Sequence, residues 1–238
     1  PVFVTRNFHH WAAFINVNSG IRTPKDLEGR PVAVNRGYTV TTGIWIRGIL
    51  QHEYGVDLGK ITWWPTDDEH VAEFKAPANV DYGKQGKAIG DLLTSGQFVA
   101  AVGDVRVDSP DIKPLIADAR EAGYGYFRKT GVYPINHGVT IKDSVLEEEP
   151  WVAEELFRVF KAAKEIYLGE LKSGANPSPA DQTAVALGRI VGGDPFPFGV
   201  EPNRKALETI AQYAVDQHVT RKKYAPEELF APSTLRLT

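Results

Sequence analysis

The chain has 238 residues, a formal net charge of -3 at pH 7, and neither cysteine nor methionine. Hydrophobic residues at 42% and charged residues at 24% are typical of a globular protein, and the length admits one large domain or two small ones. The balance is not basic enough to indicate nucleic-acid binding, and no apolar run approaches the ~20 residues of a membrane span. The absence of cysteine excludes disulfides, thiolate nucleophiles and cysteine-ligated metals.

β-prone runs alternate with helical segments in the first half of the chain. Strands are predicted over 11–17, 31–35, 61–64 and 98–102, and helices over 41–54 and 84–93. This alternation favours a parallel or mixed α/β sheet. A polar loop over 65–82 is long enough to be functional. The first residues also look β-prone and lack an initial methionine, so we expect a segment before Pro1.

The second half is mostly helical. A turn at Pro134 precedes a predicted strand, and three helices follow over 150–172, 179–191 and 202–218, each with proline at its first position. Ser178 followed by Asp181 resembles a capping box.

The turn between the strand at 31–35 and the next helix is the first candidate ligand site. It carries hydroxyl groups, on the residues Tyr38, Thr39, Thr41 and Thr42. The first N–H groups of a helix lack internal partners and attract anions. The alternative is that Thr39 or Thr41 only caps the helix. No glycine-rich nucleotide motif is present.

Asp104 and Arg106 follow the strand at 98–102, at the end where open α/β sheets bind ligands. A surface ion pair is the alternative for these two residues. His137 is a further candidate, with a packed core histidine as its alternative. No histidine spacing indicates a metal, so none is predicted, although a site built from His10, His137 and Asp104 stays open.

Three long segments resemble one known family: residues 20–57, 130–165 and 194–232. They are similar to 4,5-dihydroxyphthalate decarboxylases and to related substrate-binding proteins of ABC transporters. The resemblance implies a type II periplasmic-binding-protein fold, in which two α/β lobes enclose a ligand cleft. Mapped here, residues 1–20 belong to the first lobe and its crossover, 21–131 form the inserted lobe, and 132–238 return to the first lobe. The N-terminal part of that lobe is then absent.

The resemblance also suggests roles for single residues. Arg6 and His10 match a basic pattern of the family, in which His9 stands where a second arginine is expected. We expect Arg6, His10, the 38–42 turn, Arg106 and His137 to converge on one cleft.

Two functions follow as hypotheses. In a decarboxylase of a hydroxylated aromatic carboxylate, His137 or His10 donates the proton. Arg6, Arg106 and the threonine turn then hold the remaining carboxylate, while Tyr38 or Trp45 stacks on the ring. The alternative is a transporter's substrate-binding protein with the same cleft and no proton donor.

Either function implies a small aromatic or carboxylate ligand, no cofactor, no nucleic acid and no membrane insertion, with homo-oligomerisation left open. We expect a cytoplasmic enzyme, or a periplasmic protein if the binding alternative holds.

Overall fold

The computed structural model describes residues 1–174 and 177–238. The strands are β1 (Phe3–Arg6), β2 (Ala13–Asn16), β3 (Pro31–Val34), β4 (Thr62–Pro65), β5 (Ala100–Val102), β6 (Ile112–Pro114) and β7 (Ile135–Gly138). The α-helices are α1 (Thr41–His52), α2 (Ile89–Thr94), α3 (Ala119–Thr130), α4 (Asp143–Glu148), α5 (Val152–Ser173), α6 (Pro179–Val191) and α7 (Arg204–Asp216). None of the described helices has the length and apolar character to cross a membrane.

The chain divides into two compact units. One, here called the sheet unit, comprises Phe8–Gly125 and Ile210–Lys223. The other, here called the helical unit, comprises Pro1–Asn7, Tyr126–Thr209 and Tyr224–Thr238. The division expected from the family resemblance, at residues 20 and 131, stays a prediction.

A five-stranded mixed sheet in the order β4-β3-β5-β2-β6 forms the centre of the sheet unit. β3 is parallel to β4 and β5, whereas β2 is antiparallel to β5 and β6. The prediction of an α/β protein with a mixed sheet is therefore confirmed. β2 lies inside this sheet although the family resemblance assigns its residues to the crossover.

Both faces of the central strand β3 are buried. Val32 and Val34 pack in one hydrophobic cluster with Ile46 and Leu50 of α1, whereas Ala33 packs in a second cluster with Leu93 of α2. Successive side chains of a strand point to opposite faces, so the two helices cover opposite faces of the sheet. This double coverage explains why β3 reads as a continuous apolar run.

In the helical unit, β1 pairs with β7 in an antiparallel two-stranded sheet with irregular register. α6 begins with the predicted capping box: the Ser178 hydroxyl accepts from the Asp181 N–H at 3.2 Å, and the Asp181 carboxylate accepts from the Ser178 N–H at 2.8 Å. The same unit contains a small hydrophobic core of Val2, Phe157 and Phe198.

Several boundaries differ from those predicted. The helix expected from Pro150 begins at Val152, after the short α4, and the helix expected from Pro202 begins at Arg204, after a 3₁₀ turn. β6 and α3 were not predicted. Glycine disfavours helix, and Gly123 lies inside α3. Packing explains it, because a Cβ there would lie 2.6 Å from Phe8 Cβ.

Candidate functional site

The backbone N–H groups of the turn before α1 take no part in the internal hydrogen bonds of that helix. β3 ends at Val34, and the first internal hydrogen bond of α1 runs from the Ile44 N–H to the Val40 carbonyl at 3.0 Å. Val40 is the N-cap residue and makes no side-chain cap. The alternative that Thr39 or Thr41 only caps the helix is therefore wrong.

A carboxylate from the loop after β4 occupies this turn. Glu69 Oε1 accepts from the Tyr38 N–H at 2.6 Å, and Oε2 accepts from the Thr39 N–H at 2.9 Å and from the Thr39 hydroxyl at 2.6 Å. The Tyr82 hydroxyl also donates to Oε1, at 2.7 Å. Gly37 provides the space, since a Cβ there would lie 2.8 Å from Glu69 Oε2. The turn therefore holds a carboxylate, and that carboxylate is the chain's own.

The electrostatics of Glu69 favour its ionised form. Burial acts to raise the pKa of its carboxyl, but hydrogen bonds from Thr39, Tyr82 and Tyr38 outweigh burial and leave the pKa below its ordinary value. Burial and the hydrogen bond to Glu69 raise the pKa of Tyr82. Tyr82 therefore stays a donor and Glu69 an acceptor at neutral pH.

A buried arginine lies directly behind the turn. Arg47 is fully buried; its Nη2 donates to the Tyr38 carbonyl at 2.6 Å and its Nε donates to Gln217 Oε1 at 2.8 Å. Its Nη1 has no hydrogen-bond partner among the described residues and lies towards Gly43, where a Cβ would be 2.9 Å away. Burial lowers the pKa of Arg47, while the negative charge of Glu69 is among the influences that raise it. The turn therefore combines backbone donors with a desolvated cation.

The two aromatic rings predicted to stack on a ligand both contact other protein groups. The Tyr38 ring is 2% exposed and lies 3.8 Å from the Arg47 guanidinium and 6.2 Å from the Phe74 ring, measured at the ring centroids. The Trp45 ring is fully buried and stacks on His9 at 6.2 Å. A ligand-stacking role for Tyr38 or Trp45 stays a prediction.

The threonines of the turn have different surroundings. Thr39 contacts Glu69 through both its N–H and its hydroxyl. Thr41 and Thr42 form the start of α1 and are half-buried. Their role in ligand binding stays a prediction.

Asp104 and Arg106 form an exposed ion pair just after β5. Arg106 Nη2 lies 3.2 Å from Asp104 Oδ2, and the two side chains are 87% and 50% exposed, respectively. The hydrogen bond to Asp104 raises the pKa of Arg106. Exposed pairs of this kind contribute little to stability, because water and salt screen them. The structure thus has the surface ion pair that was the alternative for these residues. Their ligand-binding role stays a prediction.

His10 is buried within the sheet unit. Its side chain is 0% exposed, and its Nε2 lies 2.9 Å from Glu53 Oε2. Burial lowers the pKa of His10, and the hydrogen bond and charge of Glu53 offset part of that effect. Solvent does not reach this ring, so a proton-donating role for His10 stays a prediction that the burial does not favour.

The guanidinium of Arg6, in the helical unit, is held by two main-chain carbonyls. Its Nη2 donates to the Tyr133 carbonyl at 2.8 Å and its Nη1 donates to the Pro197 carbonyl at 3.3 Å. The guanidinium also lies 4.4 Å from the Tyr133 ring centroid. Burial lowers the pKa of Arg6 to about 10, with the charges of Tyr133 and Asp194 opposing it. Arg6 therefore remains a cation at neutral pH.

A cavity of about 510 Å³ is lined by Arg6, Tyr133, Asn203 and Lys205, among others. Lys205 is exposed and forms no ion pair within the part of the chain that the structure describes. The buried atoms Arg6 Nε and Asn203 Oδ1 likewise have no hydrogen-bond partner among the described residues. Glu201 and Glu208 also line the cavity, but both pair with Arg204. This cavity, here called the Arg6 cavity, therefore suits a small anion that also accepts or donates hydrogen bonds.

His137 lies in β7 opposite Thr5 of β1, and Arg6 is paired with Ile135. His137 and Thr5 are exposed, whereas Ile135 is buried and Arg6 is half-buried. Alternate side chains of a strand point to opposite faces. The register shifts between Thr5 and Arg6, so this alternation does not decide the faces here; Arg6 and His137 are neighbours along the sheet that differ in exposure.

No group of three or more histidine, aspartate or glutamate side chains suited to a metal ion occurs in residues 1–174 and 177–238.

Two residues that contact the turn, Glu69 and Arg47, were not predicted as site residues. Glu69 lies in the polar loop that was expected to be functional, but the sequence does not indicate which acid reaches the turn. Arg47 had a visible signal, a charged residue inside the apolar stretch of α1 from Gly43 to Leu50. A cation on a face that must be buried indicates a special environment.

Comparison with known proteins gives two curated relatives of the same name. The chain is 27% identical over 254 aligned residues to a 4,5-dihydroxyphthalate decarboxylase from Comamonas testosteroni, covering 99% of this chain and 76% of the relative. It is 27% identical over 141 residues to one from Pseudomonas putida, covering 54% of each protein. No protein-family model matches the chain.

Among solved structures, the aliphatic sulphonate binding protein SsuA from Escherichia coli has a TM-score of 0.45 and 13% identity, over 98% of this chain and 72% of that one. SsuA from Xanthomonas axonopodis pv. citri bound to MOPS has a TM-score of 0.40 and 16% identity, over 94% and 71%. The resemblance inferred from the sequence is thus confirmed: over nearly its whole length, this chain is similar to 4,5-dihydroxyphthalate decarboxylases.

Proposed function

We propose that this protein is a decarboxylase that acts on a hydroxylated aromatic carboxylate, with 4,5-dihydroxyphthalate as the first substrate to test. The observation that carries the proposal is the similarity to a protein of that name over 99% of the chain. The second support is that the turn before α1 binds a carboxylate through N–H and O–H donors.

The chemistry sets two requirements. Loss of CO2 from an electron-rich ring leaves a carbanion-like carbon, and this carbon must receive a proton from a positioned acid. A second carboxylate on the ring, which does not react, can hold the substrate in place by binding to an anchor residue of the protein. The cations must hold this spectator carboxylate and not the departing one, because stabilising the departing charge would favour the reactant.

Arg6 suits the role of anchor. Its guanidinium bonds to two main-chain carbonyls, which fix its orientation at the Arg6 cavity. Its buried Nε has no hydrogen-bond partner among the described residues. A carboxylate accepts well from a fixed guanidinium, because both groups are planar. Lys205 adds a second positive charge to the same cavity.

His137 is the better candidate for the acid. It is exposed to solvent, whereas His10 is fully buried against Glu53. An acid must exchange protons with solvent once per turnover, and exposure permits this. In this proposal His137 protonates the ring carbon.

A specific observation favours a second candidate function, a carboxylate-binding protein. Among the described residues, those that line the Arg6 cavity do not include His137, and His10 is fully buried. Such a protein needs the anchors but no acid, which fits this arrangement.

Incubating the full-length protein with 4,5-dihydroxyphthalate, while recording both CO2 release and the thermal shift, tests the proposal. We expect CO2 release, its loss in His137→Ala, and a roughly tenfold to hundredfold weaker affinity in Arg6→Ala, since a charge-assisted hydrogen bond contributes about 1.5–3 kcal/mol.

Arg158→Ala is the matched control, because it removes an exposed arginine whose partner is Glu155 on the same helix. Stabilisation without CO2 release would favour the binding protein. An Arg6→Ala variant that is folded and binds with unchanged affinity would contradict the anchor assignment.

A further inference from the structure

We propose that Glu69 occupies the place of a ligand carboxylate, so that an anionic ligand binds the turn before α1 by exchanging with Glu69. This inference rests on the proposed function in taking a carboxylate as the ligand. It goes beyond it by assigning the subsite and the residue that competes for it.

The donor set of the turn matches a carboxylate in number and direction. Two N–H groups and one hydroxyl, from Tyr38 and Thr39, point to the two oxygens of one carboxylate, at 2.6 to 2.9 Å. The hydroxyl of Tyr82 adds a further donor at 2.7 Å. An incoming carboxylate can use the same donors without rearranging the backbone.

The buried arginine supplies an independent reason for an anion here. Arg47 is 0% exposed, and no carboxylate lies within ion-pair distance of it among the described residues. Its Nη1, without a partner among these residues, faces Gly43 in the first turn of α1. An uncompensated buried cation costs several kcal/mol, and the charge of Glu69 offsets part of this cost. When Glu69 leaves, the positive charge of Arg47 therefore remains behind the turn and favours the binding of another anion.

Apart from the hydrogen bonds that an incoming carboxylate would take over, the side-chain contacts of the residues next to Glu69 lie at the surface, among them the hydrogen bond from Gln85 Nε2 to Asp68 Oδ1 at 2.8 Å. Glu69 is half-buried, and its neighbours Asp68 and His70 are exposed. The His70 ring contacts Arg36 at 2.9 Å at the surface, and exposed polar contacts of this kind are weak. Ligand affinity in the wild type is then reduced by the fraction of molecules in which Glu69 is in place.

The test measures binding of two simple anions, inorganic sulfate and benzoate, by calorimetry to the wild type and to Glu69→Ala. We expect about tenfold to hundredfold tighter binding in the variant, as for a competitor that is in place in most molecules. Glu73→Ala is the matched control. It removes an exposed glutamate of the same loop, and its affinity should equal that of the wild type.

Two further variants guard against misfolding of Glu69→Ala. Glu69→Gln keeps the shape and removes the charge, and Gly37→Ala keeps Glu69 but fills its place with a Cβ 2.8 Å from Oε2. Glu69→Gln should also bind the anions more tightly, whereas Gly37→Ala should bind them more weakly, because its Cβ excludes any carboxylate from the turn. Unchanged or weaker binding in the folded Glu69 variants, or no anion binding in any of them, overturns the inference.

The result is separable from that of the proposed function. CO2 release by the wild type with no gain in anion affinity in the Glu69 variants would refute only the exchange. Tighter anion binding in the variants without CO2 release by the wild type would refute only the decarboxylase.

Discussion

The turn before α1 and the Arg6 cavity are two anion-suited regions that balance their charge differently. In the turn, the cation Arg47 is fully buried, and the carboxylate of Glu69 already uses the donors in front of it. In the Arg6 cavity, the cation is half-buried and bonds to neutral carbonyls.

The difference shows how burial decides what a cation needs. A fully desolvated charge costs several kcal/mol unless an opposite charge is near, so the turn contains its own anion. Arg6 is only half-buried, and two main-chain carbonyls accept from its guanidinium, so it has no carboxylate in contact among the described residues. The two glutamates that line its cavity, Glu201 and Glu208, pair with Arg204 instead.

Replacing Arg47 should give the largest change in the free energy of unfolding. A small change would contradict the view that full burial makes this cation depend on its partners. Arg47→Ala removes the hydrogen bonds to Tyr38 and Gln217 and leaves a cavity, so we expect a loss of about 3–5 kcal/mol in the free energy of unfolding. Denaturant unfolding measures it. Arg47→Met, which fills most of the volume, should lose less, and a loss below about 1 kcal/mol in Arg47→Ala would show that the buried charge matters little.

The pH dependence of stability should sharpen the comparison. The pKa of Glu69 lies below its ordinary value of 4.5 in the folded protein. Its stabilising contribution is therefore fully present above pH 4.5 and is lost as pH falls through the folded-state pKa. Unfolding of the wild type and Glu69→Gln from pH 7 to pH 3 measures this, and the difference between them should shrink on the acid side. A difference that grows on acidification would contradict the assignment.

The smallest effect should come from the surface ion pair after β5. Arg106→Ala should leave the free energy of unfolding nearly unchanged, because both partners are exposed. The same variant tests whether Arg106 binds ligand, by calorimetry with 4,5-dihydroxyphthalate. Unchanged affinity would restrict the anchors to Arg6 and the turn.

Local signals predicted much of this molecule. The apolar run at 31–35, the hydroxyl-rich turn and the helix from Thr41 follow from patterns within about ten residues, and all three occur as expected. The capping box at Ser178 is equally local. α3 was missed because Gly123 argues against a helix until the packing of Phe8 on it is known.

Features that depend on distant residues could not be predicted in the same way. The contact between Glu69 and Tyr38 joins residues 31 positions apart, and the one between Arg47 and Gln217 joins residues 170 apart. A sequence shows that an acid and a buried arginine exist, but the folded chain decides which donors they meet. This is why the threonine turn was predicted but its occupant was not.

The segment that carries Glu69 is held at both of its ends. Thr66 donates its N–H to the Val34 and Arg36 carbonyls, and the Trp63 N–H and carbonyl bond to Asn79 and Asp81. These last bonds place Val80 beside Trp63 along β4, the outermost strand on that side of the sheet. An uncovered strand of this kind would be a template for pairing with other chains and for aggregation. Since the covering residues are not those that hold the carboxylate, the protein can release Glu69 while the border of its sheet remains shielded.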